Sequence, residues 1–166
     1  MDKEKARLRA KISEGITTWL KYERLCGREG LFSENYLALP IAQLLSANVN
    51  GKVTGEVNHP SLNKTRRQGR PAQLDFVVYH DLKPVLCVET KWADASSVGV
   101  REVVWDCVRL ELAANDLKCD AMFILAGKRA RLEKMLVSKA FNPATKRKKP
   151  SFTSRSKGNA GLERRI

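Results

Sequence analysis

The chain is predicted to be an α/β domain, a mixed central sheet flanked by helices in the order α-α-β-β-β-α-β-α. Three features carry that expectation. Two amphipathic helical stripes open the sequence. Three β-rich runs follow between residues 52 and 92. A helical stretch then separates them from one more apolar run at 120–127, and a strand that returns after a helix is the mark of a mixed or parallel sheet with helices packed on it.

Each element has a local reason. Ile12, Ile16, Trp19 and Leu20 fall at i, i+4, i+7 and i+8, one stripe of a first helix that Gly27 and Gly30 end. Ser33 is a suitable N-cap for a second helix, in which Leu37, Ile41, Leu44 and Leu45 repeat the spacing until Asn48, Asn50 and Gly51. Pro40 lies inside it and is expected to kink it or delay its start. Residues 52–57 read as a short strand. Residues 58–71, NHPSLNKTRRQGRP, hold two prolines and four Lys or Arg with no acid, and read as a basic loop. QLDFVVYH (73–80) and PVLCVETKW (84–92) are strands joined by a turn over 80–84. A helix is expected over 99–115, with Val100, Val103, Val104, Cys107 and Val108 as its apolar face. DAMFILAG (120–127) reads as a strand buried on both faces, and 128–140 as a basic helix. The organisation is thus one domain over 1–140, with an N-terminal helix at 1–27 and a core at 33–126. A basic, flexible tail is expected over 141–166.

The net charge of +13 favours nucleic acid or an anionic surface as partner. Seven of those net charges lie in 141–166, so the rest of the chain is basic as well. No apolar run approaches the ~20 residues that span a bilayer, and no signal peptide opens the chain, so a cytoplasmic location and no membrane partner are expected. Cys26, Cys87, Cys107 and Cys119 form no C-x-x-C pair and read as reduced thiols rather than zinc ligands. His59 and His80 have no partners at ligand spacing and read as ordinary surface residues.

The chemistry centres on the hairpin. A turn centred on Leu82 places Asp75 directly opposite Glu89, with Cβ atoms about 4.5–5.5 Å apart. Like charges so placed destabilise a sheet unless something compensates, and a divalent cation would. Two carboxylates with waters and a phosphate oxygen are a usual way of holding Mg²⁺. Lys91, two residues beyond Glu89, projects from the same face and can orient a water or steady phosphate charge. Glu34 has two readings: an acid that suits the helix dipole, or a further acid of the site, aligned with Leu37 and Ile41. Glu102, Asp106 and Arg109 on the following helix read as a solvated face with an Asp106–Arg109 ion pair. As a bare string, D-x(13)-E-x-K is common by chance. Here both acids sit in apolar strands, where unused charge is costly.

LDFVVY (74–79) and CVETKW (87–92) resemble the two halves of the PD-(D/E)XK motif of restriction-type endonucleases, repair nucleases and junction resolvases, and the order of elements over 33–126 is similar to that family's core. One departure is Leu74, where the motif's proline would stand. The resemblance implies a restriction-endonuclease-like fold and a metal-dependent deoxyribonuclease, acting as an endonuclease with Mg²⁺ or substituting Mn²⁺. It implies that Asp75 and Glu89 hold the metal, that Lys91 is catalytic, and that Glu34 joins them as catalytic residue and ligand. Family members also often place a polar residue near the site on the helix that here carries Glu102, Asp106 and Arg109, a second reading of those residues beside the solvated face. The basic loop residues Lys64, Arg66, Arg67 and Arg70, and Lys146, Arg147, Lys148 and Lys149 in the tail, are expected to bind DNA phosphates. RNA as substrate and a homodimer are further possibilities. The competing readings are a nucleic-acid-binding protein without catalysis, and a nuclease-fold subunit of a recombination, repair or defence complex.

Overall fold

The computed structural model describes residues 2–62, 71–94 and 98–141. Helix α1 covers Asp2–Leu25 and α2 Glu34–Asn48, with a 3-10 turn at Glu29–Leu31 between them. Strands β1 (Lys52–Asn58), β2 (Gln73–His80) and β3 (Lys83–Trp92) follow, then α3 (Val100–Leu117), β4 (Asp120–Ala126) and α4 (Arg129–Leu136). The strands form one open, mixed sheet in the order β1-β2-β3-β4. The first three are antiparallel, and β4 runs parallel to β3 after the α3 crossover.

Helices cover both faces. On one, Ile12 and Ile16 of α1 and Leu37, Ile41 and Leu45 of α2 pack on Phe76, Val78, Val88 and Trp92. On the other, Leu110 and Ala113 of α3 pack on Leu74, Val77 and Cys87, and Met135 of α4 joins Ala93 and Val103. Burying such side chains gives roughly 1.5–3 kcal/mol each, enough to hold the sheet between its helices. No helix of the described residues is long and apolar enough to cross a membrane.

Several expectations need correction. The helix α2 runs on through Pro40, whose missing N–H removes one intrahelical bond; Pro40 is itself buried between Leu37 and Ile41, and packing holds the helix together. Its start is as expected, with the Ser33 hydroxyl accepting from the Tyr36 backbone N–H at 3.2 Å. Strand β4 is a sheet edge: Met122, Ile124 and Ala126 are buried, but Phe123 and Leu125 only partly, because no strand lies beyond it among the described residues. The buried face of α3 is Val103, Asp106, Leu110, Ala113 and Ala114, a stripe rotated from the expected one, and Val108 is exposed.

The hairpin turn is also tighter than expected. Only Asp81 and Leu82 lie outside the strands, both with positive φ (46° and 64°), as a two-residue turn of the primed type requires. His80 pairs with Lys83 and Tyr79 with Pro84; a bulge between Val78 and Tyr79 then shifts the register by one. Beyond the bulge Val78 faces Leu86, Val77 faces Cys87 and Phe76 faces Val88. That is the alignment a turn centred on Leu82 implies, reached by another route.

Candidate active site

The β2–β3 pairing ends at Phe76 and Val88, one step before Asp75 and Glu89 would face each other. Past that point the Asp75 side chain takes over from the backbone ladder. Its Oδ2 accepts from the Thr90 backbone N–H at 2.6 Å and from the Thr90 hydroxyl at 2.7 Å. Two strong donors fix the carboxylate beside Glu89.

Glu89 is only 6% exposed, on the α3 face of β3. Burial, then the like charge of Asp75, push its carboxyl up to about 8, against a smaller opposing pull from Arg109. Its Oε1 lies 3.6 Å from the Arg109 guanidinium, too long for a hydrogen bond, and has no hydrogen-bond partner among the described residues. This atom is buried, charged when ionised, and unsatisfied.

Lys91 is bound on two sides. Its Nζ is 3.1 Å from Glu34 Oε2, in the first turn of α2, and 3.1 Å from Asp106 Oδ2 on α3. Burial acts to lower its pKa, but hydrogen bonds to Asp106 and Glu34 outweigh this, and the ammonium is held above its ordinary range. Asp106 also pairs with Arg109 at 3.3 Å, and Arg109 donates to the Gln73 carbonyl at 3.1 Å. Asp106 lies inside the buried stripe of α3 rather than on a solvated face. Only Glu102 of the three charged residues first grouped together is local to the helix end, where it accepts from the Gly99 N–H at 3.0 Å.

The structure thus brings Glu34, Asp75, Glu89 and Lys91 together and adds Asp106 and Arg109. Periodicity could have revealed Asp106: Val103, Asp106 and Leu110 stand at i, i+3 and i+7, the core face itself. His59, expected at the surface, is buried instead. It is 1% exposed, with Nδ1 accepting from the N–H groups of Ser61 and Leu62, so that Nε2 donates to the Arg109 carbonyl at 2.9 Å. A loop histidine gives no periodic signal of burial. His80 is exposed, as expected. Lys64, Arg66, Arg67, Arg70, Lys146, Arg147, Lys148 and Lys149 lie outside the described residues.

Among the described residues, no cluster of three or more His, Cys, Asp or Glu side chains is arranged to hold a metal ion. Glu34 faces Lys91 rather than the other carboxylates. A two-carboxylate site is a separate matter, and Asp75 with Glu89 fits one: both are hard oxygen donors, adjacent, and Oε1 of Glu89 is buried without a hydrogen-bond partner among the described residues. The charge count agrees. Four carboxylates (Glu34, Asp75, Glu89, Asp106) surround two cations (Lys91, Arg109), a deficit of two positive charges when all are ionised. Compared with protein-family models, curated proteins and solved structures, the chain matches none.

Proposed function

We propose that the protein is a Mg²⁺-dependent deoxyribonuclease that hydrolyses phosphodiester bonds internally in DNA, with the PD-(D/E)XK-type arrangement its sequence resembles. The observation that carries the reading is Glu89: a buried carboxyl beside Asp75, with an unsatisfied oxygen, in a cluster short of two positive charges when every carboxyl is ionised. A structural ion pair would close that deficit; a site that takes a divalent cation leaves it open.

Asp75, fixed by Thr90, and Glu89 would hold the ion. Bound there, Mg²⁺ supplies Lewis acidity toward a phosphate oxygen and acidifies a water. Lys91, kept protonated by Glu34 and Asp106, acts as a cation and donor and not as a base. It positions the attacking water or steadies the charge that develops at phosphorus. The overall +13 charge supplies affinity for the polyanion. Mn²⁺ is expected to substitute for Mg²⁺.

The test is incubation of purified protein with supercoiled plasmid and with branched DNA, in Mg²⁺ and in EDTA, beside folded Glu89→Ala and Lys91→Ala variants. Nicking by the wild type in Mg²⁺ alone, abolished in both variants, supports the reading. Equal binding by all three with no cleavage of any substrate overturns it in favour of a non-catalytic nucleic-acid-binding protein, for which the Lys91 and Arg109 pairs would be purely structural.

A further inference from the structure

The site contains two buried polar atoms without hydrogen-bond partners among the described residues, and they are of opposite kind: the acceptor Glu89 Oε1 and the donor Arg109 Nε. They belong to residues that already approach each other at 3.6 Å through a different guanidinium nitrogen, yet do not satisfy one another. Leaving both unmade is costly, since each buried group has given up its hydration without a replacement bond. An arginine retained only to hold α3 against the sheet would use its fork fully on the carboxylate. Arg109 spreads it instead, with NH1 on Asp106, NH2 on the Gln73 carbonyl and Nε on nothing.

A ligand with a cationic and an anionic part resolves both defects at once. The cation meets Glu89 Oε1, and an oxygen of the anion meets Arg109 Nε. A phosphate group accompanied by a divalent metal has this character, and a guanidinium suits phosphate oxygens in geometry as well as charge. We propose that Arg109 is a phosphate-binding catalytic residue of this site, and that in the metal-free protein its guanidinium partly offsets the charge of Glu89 that the metal would otherwise neutralise. The proposal rests on the nuclease reading above and adds to it a residue outside the D…E-x-K motif, with two separable duties: competing with the metal for Glu89, and contacting the scissile phosphate.

Those duties predict opposite effects of one substitution. Mn²⁺ is titrated by electron paramagnetic resonance into the full chain as wild type, Arg109→Gln and Arg109→Lys, and plasmid cleavage in Mg²⁺ supplies kcat and KM. Removing the competing charge in R109Q is expected to tighten Mn²⁺ binding roughly tenfold. Loss of the phosphate contact is expected to lower kcat about 100-fold with little change in KM. R109K keeps the charge, so Mn²⁺ affinity is expected to stay near wild type while kcat falls about tenfold for want of the planar fork. Weaker or unchanged Mn²⁺ binding by R109Q, or wild-type kcat in either variant, overturns the proposal. Should R109Q fail to fold, R109K decides alone, by whether its kcat falls. A wild type that binds no Mn²⁺ and cuts nothing overturns the nuclease reading and this proposal together; a wild type that binds and cuts, with variants that behave like it, overturns only this one.

Discussion

Lys91 Nζ stands 3.1 Å from Glu34 Oε2 and 3.1 Å from Asp106 Oδ2, so a single ammonium on β3 ties the start of α2 to the middle of α3. The two bonds are unequal in setting. The Asp106 side chain is 10% exposed and that of Glu34 40%. Asp106→Asn is expected to cost about 2–3 kcal/mol of stability, since it removes the part-buried carboxylate that Lys91 and Arg109 share. Glu34→Gln is expected to cost less than about 1 kcal/mol, as for exposed pairs. Urea denaturation of both variants measures the difference.

Glu89 gives the metal-free protein a particular pH dependence. A carboxyl whose folded pKa is raised, here up to about 8, holds its proton more tightly folded than unfolded. The associated stability is fully present below the unfolded value near 4.5 and is lost as pH rises to about 8. Glu89→Gln cannot lose a proton. In EDTA at pH 9 the variant is expected to be more stable than wild type by on the order of 2 kcal/mol, with the gap closing toward pH 5. Paired denaturation curves at the two pH values check this; an equal gap at both would refute the assignment.

Glu23 carries the opposite sign. Hydrogen bonds from Arg28, at 2.6 Å through two nitrogens, and then from Tyr36 hold its carboxyl down to about 2, against some desolvation. Its contribution is present above about 4.5 and is lost as pH falls toward 2. Tyr36→Phe is expected to lower the melting temperature at neutral pH and to reduce the loss of stability between about pH 4.5 and 2, because the Glu23 carboxyl is then held down less, as followed by circular dichroism.

Leu82 occupies a left-handed conformation at φ 64° and is 93% exposed. A branched side chain there costs about 1–2 kcal/mol, which glycine avoids at some loss of unfolded-state entropy. Leu82→Gly is therefore expected to raise stability by about 0.5–1 kcal/mol, read from the urea midpoint.

His59→Leu keeps the volume but removes an acceptor from the Ser61 and Leu62 N–H groups and a donor from the Arg109 carbonyl. A loss of roughly 2–4 kcal/mol is expected in chemical denaturation.

The sheet and helices were largely readable because their periodicities are strong. Ile12 and Ile16 in α1, and Leu37, Ile41 and Leu45 in α2, are buried as their spacing requires. The Asp75–Glu89 proximity was readable from turn arithmetic, although a two-residue turn and a bulge produce it rather than a symmetric five-residue turn. What escaped the sequence was polar burial. Asp106 stands among the charged Glu102 and Arg109 at helical spacing, and the stripe of Val100, Val103, Val104, Cys107 and Val108 competes with the true face. His59 is buried by its own loop folding against α3, a tertiary event with no periodic trace. Lys91's two carboxylate partners come from helices 57 residues before it and 15 after it, and only packing joins them.

The His59 N–H donates to the Ala72 carbonyl at 2.8 Å while its side chain grips α3. The two ends of the span between β1 and β2 are therefore tied together at its base. Lengthening such a closed span costs little, about 0.6 kcal/mol per doubling. A change of length between these two anchor points is therefore expected to leave the β1–β2 pairing in register, because the closure is made by residues at its ends.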